Sequence, residues 1–521
     1  MTRSGFTKRL HSLWRPALAG LIGAAVYLAV AEVVALVVAR TASPVLAVGS
    51  FVIDIVPRWA KELAIELFGS MDKIVLLGSV GLAVIVGAVI AGIVQQLRPP
   101  LGAILFAAAG TAALLATVTR AGVDPLPAAI PSLLGTISGV VVLVLLVRRS
   151  IEAQSSTERG DRARAAIERR GFLRLGLISG AAAIIVGVGA RVTNVATASF
   201  EAARQALTLP EPASRVPVPD GAEFDIPDLT PLFTPNEDFY RVDTALTVPA
   251  VNPDTWTLTV TGMVDAPIEI SFDELVAMGL DEYAVTLTCV SNEVGGDLIG
   301  NARWLGVPVR DVLALASPQS GADMVLSRSV DGFTASTPLE ALTDPGLDAI
   351  LAVAMNGEPL PAEHGFPVRM VVPGLYGYVS ATKWLAELKV TTFAEDEAYW
   401  TPRGYSAEAP IKLSSRIDTP RIDRSIEAGP TKIAGVAWAQ PVGVARVEVQ
   451  IDDDAWQDAV VSTPINGNTW VQWYLDWEAT AGTHYVTVRA TDVDGTVQTD
   501  ERASIAPDGA SGLQRTLLRV G

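Results

Sequence analysis

The single cysteine of the chain, Cys289, is the first residue to consider for chemistry. It follows an alternating run that is typical of a strand, Tyr283–Thr288, and enters a segment rich in serine, asparagine and glycine. A cysteine at the end of a strand is half exposed and backed by a rigid element, which suits a metal-binding thiolate or a nucleophile. Free cysteine is also among the most buried residue types, so a lone cysteine is more often a packing residue. Its position alone leaves both interpretations open.

Few other residues of the chain can bind a metal. One cysteine excludes intrachain disulfides and cysteine-cluster zinc or iron–sulfur sites. The three histidines are His11, His364 and His484, whereas a membrane haem usually needs two axial histidines inside a helical bundle. We therefore predict no haem, no iron–sulfur cluster and no zinc. Any redox chemistry then requires a cofactor that needs few protein ligands.

Four short motifs follow the cysteine in a fixed order. Residues 301–304 read NARW, and residues 355–369 read MNGEPLPAEHGFPVR. Residues 372–374 read VPG, and residues 382–385 read TKWL. Together with the cysteine, these motifs resemble the sulfite oxidase family of molybdopterin enzymes. The resemblance covers roughly residues 235–510.

The resemblance implies a molybdenum–molybdopterin cofactor and makes Cys289 the expected ligand of the molybdenum. A soft, anionic sulfur suits a high-valent metal that is already held by sulfur. His364 and Arg369 match positions that bind the phosphate end of the pterin, where a guanidinium is well suited to phosphate. Either Ser329 or Asp331 matches a further cofactor contact. The other cofactor contacts implied by the resemblance are Tyr240, Asp243, Asn292, Arg303, Ala381, Thr382 and Lys383.

The resemblance also bears on the substrate. Arg241 matches a substrate-pocket arginine of sulfite oxidases, and Tyr405 matches a tyrosine near the oxo group of the metal. Sulfite oxidases have arginines shortly after the cysteine, where this chain has Glu293 and Val294. A carboxylate in a poorly solvated pocket repels an oxyanion. This departure disfavours sulfite and leaves a neutral, sulfoxide-type substrate as the better-tolerated class.

Charge divides the chain into two parts. Residues 1–190 have a net charge of +8 and the remainder −25, which together give the −17 of the whole chain. The acidic part argues against nucleic-acid binding, because nothing there neutralises phosphates. The basic part contains five apolar stretches, and each approaches the roughly 20 residues that cross a bilayer. These stretches lie near 17–39, 74–96, 101–119, 130–147 and 173–190.

The positive charges between these stretches predict an orientation. Basic residues precede the first stretch, Arg98 separates the second and third, and several arginines lie within 148–170, so all three segments are expected in the cytoplasm. Five spans then put residues 191–521 outside it. Residues 169–173 read RRGFL and resemble a twin-arginine export signal, although basic residues beside a span are expected anyway. Residues 51–68 have the pattern of an interfacial amphipathic helix.

The sequence thus predicts a multidomain protein. A helical transmembrane bundle, 1–190, precedes a proline-rich linker, 191–234. An α+β molybdopterin domain follows over 235–405, because strand-like and helical patterns alternate there. Short alternating strands over 406–510 favour an immunoglobulin-like β-sandwich, which resembles the dimerisation domain of the family. Residues 511–521 are expected to form a tail.

The function predicted from the sequence is that of a membrane-anchored molybdenum oxidoreductase that acts outside the cytoplasm. Its expected partners are the lipid bilayer, a small-molecule substrate, a separate electron donor or acceptor protein and, through the sandwich, a second copy of the chain. A non-catalytic, membrane-tethered binding protein on a degenerate molybdopterin fold is the alternative. A transporter is disfavoured, because Glu32 is the one carboxylate well inside an apolar stretch. Glu32 itself is either functional or hydrogen-bonded to a neighbouring helix.

Overall fold

The computed structural model of the chain describes residues 3–38, 72–119, 125–159 and 204–521, apart from residues 246, 422 and 423, together with short stretches between these ranges. The chain forms two compact units, Met1–Ser199 and Phe200–Gly521.

Long apolar helices make up the described part of the first unit. They are α1 (Arg3–Val38), α2 (Asp72–Leu97), α3 (Leu101–Val118) and α4 (Pro125–Glu158). By length and composition, all four are able to cross a membrane, and they correspond to the first four predicted stretches. The predicted fifth span, the predicted interfacial helix and most of the RRGFL motif lie outside the described residues.

Glycines bring α1 and α2 into close contact. A Cβ atom on Gly20 would lie 1.9 Å from the carbonyl oxygen of Ala88, and one on Gly92 would lie 2.0 Å from that of Pro16. Small residues allow the backbones of apolar helices to approach closely, which is how helices associate in a bilayer. The packing of the first unit therefore agrees with a membrane-embedded bundle.

The second unit begins with an irregular segment. The described residues between Leu207 and Asn252 contain no helix or strand, as the proline content of the predicted linker suggests. The segment is not a free spacer, however. Ala222 and Leu232 are buried in a core that also contains Val290 and Trp470. The segment therefore packs as part of the second unit.

Two sheets form the α+β region of the second unit. One is mixed and has the strand order β2-β1-β10-β5-β6; the other is antiparallel, has the order β3-β4-β7-β8, and also pairs β9 with β7. The strands are β1 (Thr257–Gly262), β2 (Ile268–Ser271), β3 (Asp281–Thr288), β4 (Ile299–Pro308), β5 (Met324–Ser329), β6 (Thr334–Pro338), β7 (Ile350–Met355), β8 (Glu358–Pro359), β9 (Arg369–Val371) and β10 (Leu385–Thr391). The helices are α5 (Phe272–Ala277), α6 (Val309–Ala316), α7 (Leu339–Thr343) and α8 (Gly377–Ser380).

The antiparallel sheet is covered on both faces. Alternate residues of β7 belong to different cores: Leu351 packs with the mixed sheet, and Ile350 packs with Trp304 and Leu287. Side chains point to opposite faces along a strand, so this division means that both faces are buried. The strand that leads to Cys289 therefore lies in the interior of the unit.

Two further sheets pack on one shared core and form a β-sandwich. Their strand orders are β11-β13-β17-β16 and β12-β19-β18-β14-β15. The core includes Ile433 and Trp473 from the first sheet and Val447 and Val488 from the second. The strands are β11 (Ser414–Thr419), β12 (Ser425–Ile426), β13 (Gly429–Trp438), β14 (Val444–Ile451), β15 (Gln457–Asp458), β16 (Val460–Val461), β17 (Val471–Ala479), β18 (Gly482–Asp492) and β19 (Gln514–Val520).

The expectation of a C-terminal tail over 511–521 is wrong. Strand β19 lies within that range and pairs with β18 along its whole length, from Gln514 opposite Val488 to Val520 opposite Gly482. Its alternate residues Leu518 and Val520 are buried, which accounts for the pairing. The immunoglobulin-like classification of the sandwich remains a prediction.

Candidate active site

Cys289 lies at the start of a loop between two paired strands. Strands β3 and β4 are antiparallel, and their last pair, Thr288 and Ile299, closes the ten residues 289–298, here named the Cys289 loop. The backbone N–H of Cys289 donates to the carbonyl of Leu298 at 2.9 Å. The side chain of Asn292 accepts from the backbone N–H of Leu298 at 2.9 Å. The strands thus fix the cysteine, and Asn292 shapes the loop rather than the cavity beside it.

The thiol itself is buried. Only 8% of Cys289 is exposed, less than the half-exposed position expected from the sequence. Burial raises the pKa of the thiol, and the backbone N–H of Ser291, 3.4 Å from Sγ, partly opposes this increase. The free cysteine is therefore a neutral thiol near pH 7. Binding of a metal cation would displace its proton.

A cavity of about 130 Å³ opens beside Cys289. A cavity that holds one water molecule has a volume of only about 10–15 Å³, so this cavity admits a far larger group. Ten of the residues singled out from the sequence line it: Tyr240, Asp243, Cys289, Ser329, Asp331, His364, Arg369, Ala381, Lys383 and Tyr405. Residues from widely separated positions in the chain thus meet at one site.

Four other residues singled out from the sequence do not line this cavity. Arg241 is 39% exposed at its side chain, and its Nε donates to Asp243 at 2.9 Å. Arg303 lies over the ring of Phe233. The hydroxyl of Thr382 pairs with that of Ser327. Asn292 is engaged in the Cys289 loop. The predicted roles of all four residues remain predictions.

Arg369 is a buried cation with no carboxylate partner among the described residues. It is 5% exposed, and its recorded contacts are the donation from Nη1 to the carbonyl of His364 and a position over the ring of Trp304. Its Nε has no hydrogen-bond partner. Burial lowers the pKa of the guanidinium to about 10. An unpaired guanidinium in a cavity is a receptor for an anion such as phosphate.

His364 is neutral and has one defined tautomer. Its Nε2 lies 3.1 Å from the carbonyl oxygen of Asn236, and a carbonyl only accepts, so Nε2 carries the hydrogen. Burial first, and then the charge of Arg369, lower the pKa of the imidazole to about 4. Its edge also packs against the ring of Phe239. The imidazole is thus held in place without adding a positive charge to the cavity.

Asp243 and Lys383 form a buried ion pair at the cavity. Nζ of Lys383 donates to Asp243 at 2.7 Å and to the carbonyl of Glu363 at 3.0 Å. The side chains are only 10% and 4% exposed for the lysine and the aspartate. Burial lowers the pKa of Lys383 to about 8, although Asp243 opposes this shift. The lysine therefore loses its charge just above neutral pH.

An aromatic wall, formed by Phe333, Tyr378, Trp400 and Tyr405, lines the same cavity. The ring of Tyr405 lies 5.6 Å from that of Tyr378 and 5.3 Å from that of Trp400. Among these residues, the sequence had suggested a functional role only for Tyr405. Phe333 and Tyr378 come from distant segments, and none of the other three residues belongs to a motif that pointed to a function. Only Trp400 could have been suspected from the sequence, because it lies five residues before Tyr405.

The cavity lining does not include Glu293 and Val294, on which the sequence-based argument about the substrate rests. Neither residue lines the cavity, and the side chain of Glu293 is exposed to solvent. The preference against sulfite that was based on these two residues therefore remains a prediction. Among the described residues, no cluster of three or more His, Cys, Asp or Glu is suited to holding a metal. Within the described part of the chain, Cys289 is thus not part of a multi-residue metal cluster.

Comparison with known proteins agrees on one region of the chain. Residues 245–400 match the family model described as oxidoreductase molybdopterin binding domain. Mitochondrial sulfite oxidase of Homo sapiens is 32% identical over 322 residues, with 52% of this chain and 58% of that protein covered. Sulfite oxidase of Gallus gallus is 30% identical over 324 residues, with 53% of this chain and 69% of that protein covered.

Among solved structures, the sulfane dehydrogenase SoxCD of Paracoccus pantotrophus is similar to this chain with a TM-score of 0.49 and 23% identity. The similarity covers 56% of this chain and 84% of that one. In the sequence comparison, the chain spans 58% of the length of the human sulfite oxidase. The segment that matches the family model contains Cys289, His364, Arg369 and Lys383.

Proposed function

The chain belongs to the sulfite oxidase family of molybdopterin-dependent oxidoreductases, and from this premise we propose that it catalyses a two-electron redox or oxygen-atom transfer reaction at a molybdenum ligated by Cys289. The cavity next to the thiol supports the proposal. It combines one soft ligand for a metal with cationic and polar groups suited to an anion. A metal that brings its own sulfur ligands and a phosphate meets both requirements.

The residues of the cavity fit the two ends of molybdenum–molybdopterin. Cys289 would bind the metal as the thiolate, and its proton would leave when the metal enters. Arg369 would donate from its unpaired Nε to the phosphate, and Lys383 would add a second cationic donor. When bound, the cofactor supplies a centre that exchanges electrons in pairs with a substrate. The protein contributes binding, orientation and burial.

One observation carries the proposal: the guanidinium of Arg369 is buried without a carboxylate among the described residues, in the cavity that also contains the thiol. A buried charge without a counter-ion is costly, so a fold that keeps one is adapted to an anion that binds there. A site built only for packing would have an apolar residue at this position.

Analysis of the purified chain for molybdenum and pterin tests the proposal. We expect about one of each per chain from a host that makes the cofactor. Replacement of Cys289 by Ser should abolish turnover while most of the pterin is retained, because Arg369 and Lys383 are unchanged. Wild-type protein without molybdenum and pterin would refute the proposal.

The aromatic wall supports a neutral substrate over sulfite. Trp400 and Tyr405 offer apolar, partly exposed faces, and Arg241, which does not line the cavity, is already paired with Asp243. A small dianion would find little compensation there, whereas a sulfoxide with an apolar substituent would pack against the rings. Stopped-flow spectra separate the two classes: sulfite should leave the oxidised centre unchanged, and a neutral sulfoxide should reoxidise the reduced centre.

We further propose that the α+β region lies outside the cytoplasm and is anchored by the first unit. The apolar helices and the basic residues between them support this orientation. Residues 169–173 are then an internal twin-arginine export signal, and electrons pass to or from a separate protein. The sandwich is proposed to be immunoglobulin-like and to form a homodimer. Enzyme fusions after residue 200 would report the orientation, and Lys substitutions of both arginines would test export.

A further inference from the structure

Residues of the sandwich hold the strand that carries Cys289. The backbone N–H of Thr286 donates to the carbonyl of Asn468 at 3.0 Å. Its hydroxyl accepts from the backbone N–H of Trp470 at 2.9 Å, and its carbonyl accepts from Nε2 of Gln440 at 2.7 Å. The backbone N–H, the carbonyl and the hydroxyl of Thr286 thus all form hydrogen bonds with residues of the sandwich. Thr286 lies three residues before the cysteine.

Arg416 of β11 holds the other end of the Cys289 loop. Its Nη1 donates to the carbonyl of Gly296 at 3.0 Å, its Nη2 to the hydroxyl of Thr230 at 2.9 Å, and its Nε to Asp418 at 2.6 Å. The side chains of Arg416 and Asp418 are 10% and 7% exposed. One guanidinium therefore connects the loop, the irregular segment and the sandwich, with its charge balanced by a buried carboxylate.

The Cys289 loop needs such a support because it contains two adjacent glycines. Gly295 has a φ of +80°, and glycine backbones are the least restricted of all residues. A Cβ atom on Gly295 would lie 2.8 Å from Cδ of Gln514, so the sandwich also packs closely on this position. Within the loop, the backbone N–H of Cys289 donates to Leu298 and that of Gly296 donates to Glu293, whereas the carbonyl of Gly296 is held from outside by Arg416.

We propose that Arg416 is a positioning residue for Cys289: by fixing the carbonyl of Gly296 it holds the loop, and hence the thiol, in the geometry required of a metal ligand. The sandwich then helps to position the residue proposed as the metal ligand, in addition to forming a domain of its own. Its catalytic meaning rests on the proposed function, whereas the anchoring of the loop does not. A planar guanidinium is required, because only its fork reaches Gly296 and Thr230 together while Nε faces Asp418.

The test uses the full chain in detergent, prepared without molybdate. Since Cys289 is the only cysteine, the rate of alkylation by iodoacetamide reports on this residue alone. Lysine at position 416 keeps the charge but not the fork, so R416K should increase the alkylation rate about tenfold, the factor for losing one hydrogen bond to a charged group. Hydrogen exchange should rise over 289–298 and not over 444–451.

Arg489 provides the matched control. It lies in the same sandwich, donates to Glu448 at 2.9 Å and lies over the ring of Trp456, with no recorded contact to the Cys289 loop. R489K should therefore change the alkylation rate by less than about twofold. In the molybdenum-loaded chain, R416K should shift the electron paramagnetic resonance signal of the reduced metal, and R489K should not.

Equal alkylation rates for R416K, R489K and wild type would overturn the anchoring role. If R416K does not fold, D418N replaces it, because loss of the carboxylate removes the partner that orients Nε; a wild-type alkylation rate in D418N has the same consequence. Absence of molybdenum from wild type would refute the proposed function while leaving the alkylation result valid, so the two failures are distinguishable.

Discussion

Arg369 in the cavity and Arg416 in the sandwich are both buried, with 5% and 8% of each residue exposed. Arg416 donates to three partners and has a carboxylate beside it. Arg369 retains an unpaired Nε and has no carboxylate partner within the described part of the chain. Arg416, which holds the fold, is thus paired with a counter-ion of the same chain, whereas Arg369, which is proposed to bind a ligand, is not. Partners, and not burial, distinguish the two roles.

The histidines differ in the same way. In the cavity, burial and the charge of Arg369 lower the pKa of His364 to about 4. In the sandwich, Asp452 raises the pKa of His484, with a further contribution from the carbonyl of Thr480. The imidazole of His484 lies between two acceptors, so only its protonated form donates to both. The surroundings of His364 in the cavity therefore disfavour the protonated imidazole, whereas those of His484 in the sandwich favour it.

The largest expected effect comes from removing the paired arginine. Replacement of Arg416 by Met leaves Asp418 buried without its cation, which should lower the free energy of unfolding by about 3–5 kcal/mol. The same replacement of Arg369 in the cofactor-free chain removes an unpaired charge and should leave that free energy unchanged or increased. Urea unfolding followed by tryptophan fluorescence measures both. Equal destabilisation by the two replacements would contradict the comparison.

Removal of the unpaired arginine should instead affect the cofactor. R369Q loses charge-assisted hydrogen bonds to the phosphate, so pterin affinity should fall about 10- to 100-fold. The pterin released from purified protein, measured by fluorescence after oxidation, gives the occupancy. R328Q serves as control, since Arg328 pairs with Glu387 on the mixed sheet. Full pterin occupancy in R369Q would show that Arg369 is not the anion receptor.

Lys383 should make the stability of the cofactor-free chain depend on pH. Its pKa is lowered from 10.5 to about 8 in the folded chain, so between these values the unfolded chain binds more protons. Stability should then rise as pH increases above about 8, the opposite of a lysine stabilised by its partner. The thermal midpoint of wild type, compared with K383M from pH 7 to 9.5, tests the slope. Parallel curves would exclude the effect.

The smallest effect is expected at His484, which is close to the surface. Since its pKa is raised on folding, its stabilising contribution is complete below about pH 6.5 and is lost as pH rises through the folded value. Wild type should therefore exceed H484Q in thermal midpoint at pH 5.5 and approach it at pH 8.5. A constant difference between the two would mean that the imidazolium plays no part.

Much of the architecture follows from local patterns in the sequence. The strand pattern of Tyr283–Thr288 predicted β3, which the structure extends by two residues to Asp281–Thr288. The position of Cys289 at the end of β3 was also predicted, since a buried strand followed by a Ser/Asn/Gly segment is a local signal. The strand β19 was not predicted, because its role depends on pairing with a distant partner, β18.

The candidate site was only partly predictable, for the same reason. His364 and Arg369 belong to one continuous motif, whereas the aromatic wall is assembled from residues far apart in the chain. The residues next to Arg416 in the sequence carry no motif, and they do not indicate that its guanidinium reaches Gly296. The role of Glu293 was taken from the resemblance to sulfite oxidases, and the sequence did not indicate that this residue lies outside the cavity lining. Local chemistry is visible in a sequence, and the faces that loops present are not.

The unpaired guanidinium of Arg369 also bears on the survival of the polypeptide in the cell. A ligand that binds only the folded state stabilises it by about 2.7 kcal/mol at one hundred times its dissociation constant. Chains without the anion therefore visit the unfolded state more often, and proteases remove unfolded chains. If Arg369 binds the phosphate of the cofactor as proposed, loaded chains would be degraded more slowly than empty ones, and the supply of cofactor would control the abundance of the protein.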